Sequence, residues 1–246
     1  MTEIRETEEP VELSVWDLSG RERHKQERRA QVTAWFLKPG ERDVIMDVGC
    51  GDGFVTSFFL KAGFVVGLEP SYHSLEIAKR KVPKGNVQFI CADARFIPLR
   101  ANSIDKVAIL EVLEHLPRAS QQMVIEEIDR VLKKGGILVV TVPYKEKIIY
   151  TRCIHCGKLT PLWGHLHSMD EEKVNKLLPP SYVLVAKAHF PNLELISMLG
   201  IFHRLPFPLW FIINNFLGII KKGYWILVKY KKFLNECKIR EKPIIE

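Results

Sequence analysis

The chain has 246 residues, 47% of them apolar and 26% charged, with a formal charge of +7 at pH 7. That length can bury a full hydrophobic centre, and the composition excludes a disordered, fibrous or collagen-like chain. Five unevenly spaced cysteines exclude a disulfide framework, and Met1 to Pro10 is acidic without the apolar core of a secretory signal, so a cytoplasmic location is expected.

The positive charge gathers in Arg21 to Arg29 and in Lys221 to Lys242, ends that suit an anionic partner or plain solvation. Residues 1–40 read as an acidic tail and a basic helix, and 41–190 as a core with a Cys/His insertion at 146–168. An apolar helical insertion, 191–222, and a last strand with a basic tail, 223–246, complete the division. Within the core, Val44 to Val48 is an apolar strand carrying Asp47, which runs into Gly49, Gly51 and Gly53. Phe54 to Leu60 is expected to be a helix and Phe64 to Leu68 a strand ending at Glu69. Ser71 caps a helix through Ala78, and Val87 to Cys91 is a strand closing on Ala92-Asp93-Ala94. Ile104 to Leu110 is the next strand. Apolar spacing then predicts a helix over Gln121 to Leu132, stopped by Lys133-Lys134-Gly135-Gly136 before a strand over Ile137 to Val142. Strands alternating with helices imply a parallel sheet covered on both faces, with ligands at the carboxyl ends of its strands.

Asp47, Glu69 and Asp93 all fall at such ends, so three carboxylates are expected to line one crevice. The loop reads Asp-x-Gly-x-Gly-x-Gly rather than the Gly-x-Gly-x-x-Gly of pyrophosphate binders, and acids on both flanks favour a positively charged ligand. A nicotinamide-dependent dehydrogenase would need the other spacing.

Asp47-Val48-Gly49-Cys50-Gly51-Asp52-Gly53 resembles the first motif of the class I S-adenosylmethionine-dependent methyltransferases, of the type 11, quinone-biosynthesis-like kind. Glu111-Val112-Leu113-Glu114-His115-Leu116 and Lys134-Gly135-Gly136-Ile137-Leu138 continue the pattern, which covers roughly residues 40–143. The resemblance implies an α/β, Rossmann-like doubly wound sheet of seven strands, mostly parallel with an antiparallel last strand. Tyr182 to Phe190 and Tyr224 to Tyr230 would be strands six and seven, forming an antiparallel edge. It implies S-adenosyl-L-methionine as cofactor, with Glu69 on the ribose hydroxyls and Asp93 on the adenine amine. Asp47, Gly49, Cys50, Gly51, Gly53, Ala94 and Glu111 complete the expected cofactor-binding set. The implied activity is methyl transfer to a small-molecule or lipid-like acceptor, at oxygen, by in-line displacement. Positioning supplies much of the acceleration of such a step. If the acceptor is a hydroxyl, His115, Glu114 and Tyr144 are candidate general bases, although His115 could equally cap a helix. The alternatives are an RNA- or protein-directed methyltransferase and a binding module on the same scaffold.

Two metal sites are suggested. Glu111, Glu114 and His115 would share one face of a helical turn and could hold a divalent ion, as a Glu-x-x-Glu-His run does in some O-methyltransferases of quinone biosynthesis and of RNA 3′ ends. Cys153, Cys156, His165 and His167 have a composition suited to structural zinc, looking like half a zinc knuckle with a histidine pair; the plainer reading is a redox-inert loop. The stretch from Leu205 to Ile220 is the most hydrophobic of the chain and too interrupted to span a bilayer. It suits a lid packed on the sheet, a dimer interface, or a peripheral contact with anionic membrane flanked by Arg204, Lys221 and Lys222.

Overall fold

The computed structural model describes residues 14–83, 85–190, 204–219 and 223–233. The expected acidic tail, the first part of the apolar insertion, Lys221, Lys222 and the basic tail lie outside the described residues.

Seven strands form one sheet in the order β3 (Val87–Cys91), β2 (Phe64–Glu69), β1 (Val44–Val48), β4 (Ile104–Leu110), β5 (Leu132–Pro143), β9 (Trp225–Lys232) and β8 (Tyr182–Phe190). The pairings among β1 to β5 are parallel, and β9 runs antiparallel to both of its neighbours. The mostly parallel sheet with an antiparallel last strand is therefore as expected. The expected antiparallel edge is present as the β9–β8 pair; β9 inserts between β5 and β8 and leaves β8 outermost, in the same direction as β5. Burial explains the order. Trp225 to Val228 are buried on both sides, as suits an interior strand, whereas Val183, Leu184 and Val185 of β8 are exposed.

One face of the sheet packs Met46, Val107 and Val140 against Val124 and Ile128 of α3 (Arg118–Val131). The other packs Ile45, Phe59 and Val139 against Ala30 and Leu37 of α1 (Gly20–Leu37) and Trp210 of α5 (Phe207–Leu217). On α2 (Tyr72–Lys81) the expected cap is present, Ser71 Oγ accepting from Ser74 N at 3.2 Å. The expected helix over Phe54 to Leu60 shrinks to a 3₁₀ turn, Thr56–Phe59. Only nine residues separate Gly53 from Gly63, and β-branched Val55 and Thr56 start the run, too little to propagate an α-helix. Lys133 to Gly136 do follow the helix end, but they already belong to β5, whose start is irregular with Gly135 at φ 80°.

The described part of the apolar insertion, α5, lies on the sheet beside α1. Phe207 meets Trp35 and Phe211 meets Phe36 at ring-centroid distances of 5.9 and 6.2 Å, and Asn214 Nδ2 donates to His189 O at 3.0 Å. Residues 146–168 project a separate two-stranded hairpin, β6 (Tyr150–Arg152) and β7 (Leu159–Pro161). A last helix, α4 (Glu171–Leu177), leads into β8, and Asp170 caps it by accepting from Lys173 N at 3.0 Å. No helix among the described residues is long and apolar enough to cross a membrane.

The entry to β9 tolerates no side chain. A Cβ on Gly223 would sit 2.5 Å from the Phe190 backbone N, and backbone cannot swing aside. Gly223→Ala is expected to lower unfolding free energy by roughly 1–3 kcal/mol in urea melts, the usual scale of overpacking.

Candidate functional site

The glycine loop is a left-handed turn at the tip of β1. Gly49, Gly51 and Gly53 have φ of 73°, 52° and 75°. A Cβ on Gly49 would meet Val112 Cγ2 at 2.4 Å, whereas Gly51 faces open space, as a wall against which a ligand lies should. Glu69 braces this turn: its Oε2 accepts from Gly51 N at 3.1 Å and its Oε1 from Ser71 N at 2.9 Å. Asp47 is buried and accepts from Thr56 Oγ1 at 2.6 Å; burial pushes its pKa up to about 6. Asp93 is gripped by the Arg95 side chain at 2.6 Å, which holds its carboxyl below the usual range. Burial raises the Cys50 thiol pKa, leaving it protonated and inert.

Two cavities meet at this turn. The first, about 230 Å³, is lined by Asp47, Gly49, Cys50, Gly51, Arg29 and Ser14 among others. The second, about 300 Å³, is lined by Gly49, Asp93, Ala94, Val112 and Leu116. Gly49 belongs to both walls, so they form adjoining halves of one crevice across the strand tips. Gly53, Glu69 and Glu111 line neither. Glu111, at φ 55°, instead accepts from Thr141 Oγ1 at 3.0 Å and from Trp225 Nε1. The strained backbone turns its carboxylate toward β5 and β9.

The run after β4 is one 3₁₀ turn, Leu113–His115, so Glu111, Glu114 and His115 do not share a helical face. The structure gathers a different trio: Glu114, His115 and His165 place ligand atoms within 4.8 Å of one another. His165 arrives because Leu166 N donates to Glu114 O at 2.7 Å and His115 Nδ1 lies 3.3 Å from Gly164 O. Glu146 pairs with His165 Nδ1 and accepts from Tyr224 OH at 3.2 Å. Glu114 is fully buried, and neither carboxylate oxygen has a hydrogen-bond partner. Burial and then Glu111 push its pKa up to about 9. Desolvation and then His165 push His115 down, so its ring is neutral at pH 7 and able to accept a proton. Tyr144 packs edge-on to His189 at 4.4 Å.

The expected zinc quartet is not assembled among the described residues. Cys153 and Cys156 occupy the tip of the β6–β7 hairpin, where Gly157 at φ 70° closes the turn and Cys153 N donates to Lys158 O at 2.8 Å. His165 stands instead with Glu114 and His115. The sequence reading missed Arg29, Thr56, Glu146 and Trp225. Only the basic stretch hinted at Arg29; Thr56 follows the glycine turn by three residues without a mark of its own, and Glu146 and Trp225 reach the site from distant segments.

Residues 46–140 match the family model described as methyltransferase domain. A ubiquinone/menaquinone biosynthesis C-methyltransferase, UbiE, of Campylobacter jejuni is 35% identical over 118 residues, 45% of this chain and 48% of that protein. A demethylmenaquinone methyltransferase of Staphylococcus saprophyticus is 26% identical over 186 residues, 72% of this chain and 76% of that protein. These matches support a class I S-adenosylmethionine-dependent methyltransferase, the matched domain spanning residues 46–140. The match spans about half the length of the Campylobacter relative and about three quarters of the Staphylococcus one. Among solved structures, the chain resembles one from the complex between the Haloferax volcanii Trm112 methyltransferase activator and a methyltransferase, with TM-score 0.63, 17% identity and coverage of 87% and 92% of the two chains. It also resembles the [4+2]-cyclase SpnF, with TM-score 0.62, 20% identity and coverage of 89% and 86%. At such identities the likeness shows the fold, and the cyclase shows that the fold carries other chemistry too.

The raised pKa of Asp47 has a signed consequence. Its folded value of about 6 exceeds the ordinary aspartate value of 3.8, so the folded state holds the extra proton between them and stability falls as pH rises through that window. In ligand-free protein, the stability of Asp47→Asn relative to wild type is expected to rise from pH 4 to pH 6.5 by on the order of 2–3 kcal/mol, then level off; paired thermal melts across pH measure it.

Proposed function

We propose that this chain moves a methyl group from S-adenosylmethionine to a lipophilic, hydroxylated aromatic acceptor of the quinone-precursor class. The observation that carries the reading is the two-lobed crevice joined at Gly49, with a left-handed glycine turn and acids from two strand tips. The quinone-directed relatives supply the acceptor class. The bound cofactor supplies an electrophilic methyl on a sulfonium. Asp47 and the glycine turn would hold its amino-acid end, and Asp93 and Ala94 its adenine. Glu69, which braces Gly51, keeps lone pairs for the ribose. His115, neutral and exposed on the turn after β4, would take the acceptor's hydroxyl proton on Nε2 when no ion occupies its trio with Glu114 and His165. The resulting phenolate is nucleophilic at oxygen and at ring carbon, so one base serves either product; in-line geometry then decides. Oxygen is the site the motifs suggest, whereas the Campylobacter relative is named a C-methyltransferase.

Glu114, His115 and His165 fit a divalent ion, because the two oxygens of buried Glu114 lack partners and two imidazoles stand beside them. Such an ion would hold charge at Glu114 and order the 164–167 segment. For zinc, the hairpin tip offers two thiols, half of a tetrahedral set.

The lipid-like acceptor accords with α5. Leu209, Ile212, Phe216 and Ile219 are exposed at spacings of three, four and three, one stripe opposite buried Trp210 and Asn214. A helix apolar on both faces has a further surface to cover. With exposed Arg204 beside it and Lys221 and Lys222 next in sequence, a peripheral seat on anionic membrane is the partner proposed.

Tritiated S-adenosylmethionine incubated with lipid, RNA, protein and polar small-molecule fractions is expected to label the lipid extract, in an aromatic product. Label confined to RNA or protein would replace the acceptor class, and full activity in a chelator would remove the ion. In flotation, the protein should rise with vesicles containing anionic phospholipid, and I212E/F216E should cut the bound fraction at least several-fold. Equal flotation of both proteins would discard the α5 contact.

A further inference from the structure

We propose that Arg29 anchors the carboxylate at the amino-acid end of the bound cofactor, which makes α1 a wall of the cofactor site; this rests on the cofactor reading above. Arg29 is the sole cation among the residues lining the 230 Å³ cavity. Its neighbours on α1 are occupied. Arg23 donates to Val15 O, Trp16 O and Glu27, and Arg28 donates to Gln31 Oε1 and, at 2.6 Å, to Leu205 O. The Nε atoms of Arg28 and Arg29 are both buried without a hydrogen-bond partner, but Arg28 has spent its two Nη atoms on protein acceptors, whereas the Arg29 side chain donates to none among the described residues. The charge of Arg29 favours ionisation of Asp47, Glu111 and Glu114, yet among the described residues it forms an ion pair with none of them. What it touches is a ring face: its guanidinium carbon lies 5.2 Å from the centroid of Trp225.

Arg29 is half-buried, and a buried donor such as its Nε is costly when left unused unless a ligand completes it. The cofactor ends in a zwitterion, and the cavity offers both signs, acidic Asp47 and cationic Arg29, without letting them neutralise each other. The planar fork of a guanidinium matches a carboxylate with two parallel bonds, which an ammonium cannot do. The approach is fixed from the N-terminal side. Ser14 Oγ and Val15 N donate to Asp52 Oδ2 at 2.7 and 2.6 Å, and Trp16 Nε1 donates to Asp52 O at 2.8 Å, tying the segment before α1 to the glycine turn. Arg23 then grips that segment, so α1 and the turn hold a set spacing across the cavity.

The test is calorimetry with S-adenosylmethionine and with its decarboxylated form, which differ only in the carboxylate. Wild type is expected to bind the decarboxylated compound on the order of 10- to 100-fold more weakly, the scale of charge-assisted hydrogen bonds. Arg29→Met should lose a like factor for S-adenosylmethionine and bind both compounds alike, and Arg29→Lys should recover part of the preference. A variant that keeps the full preference, or a wild type that shows none, overturns the anchor while leaving the cofactor reading in place. Should Arg29→Met fail to fold, the wild-type comparison and Arg29→Lys decide. Binding of neither compound to folded wild type brings down the cofactor reading and the anchor together.

Discussion

A carboxylate taken out of water must find a donor, a cation or a proton, and the tips of β1 and β4 bury two and half-bury a third within one neighbourhood. Asp47 has the hydroxyl of Thr56, Glu111 has Thr141 and Trp225, and Glu114 has nothing. Much around the crevice follows from how each need is met. Glu111 adopts a left-handed backbone to reach β5 and β9, Arg29 is held where its field serves all three acids, and the 164–167 segment docks on the backbone of Glu114. A site so dry magnifies every charge within it, which favours a ligand of mixed sign over a neutral one.

The parallel core was legible because its signals are local. Val44 to Val48 is apolar throughout, as a strand covered on both faces must be, and three glycines at alternate positions have few uses besides a left-handed turn. The order of the last two strands was not legible, since it depends on which of two apolar runs is greasier on both sides. Compared after the fact, Trp225 to Val228 wins over Val183 to Val185 by burial, a property of pairing partners rather than of the run itself.

The same division holds at the site. Asp47, Gly49, Cys50, Gly51, Asp93 and Ala94 face the crevice because they sit at strand ends, which sequence reveals. The trio of Glu114, His115 and His165 needs a return of fifty residues, and the spacing of the Cys/His run suggested a different grouping for His165. Arg29 was hidden by its company: in a stretch of basic residues, nothing in the letters separates the one that turns inward from those that cap, pair or face solvent.

The placement of Trp225 carries a consequence for how the molecule comes to be. Its indole holds Glu111 and lies under Arg29, yet it belongs to the final strand, which must thread between two neighbours already made. On a ribosome delivering residues in order, the glycine turn would emerge more than 170 residues before its counterpart, so a nascent chain would carry the crevice as an unfinished rim. Competence would therefore arrive late and all at once, when the carboxyl-terminal segment docks, and a product cut short before that segment would keep much of the sheet while lacking a working centre.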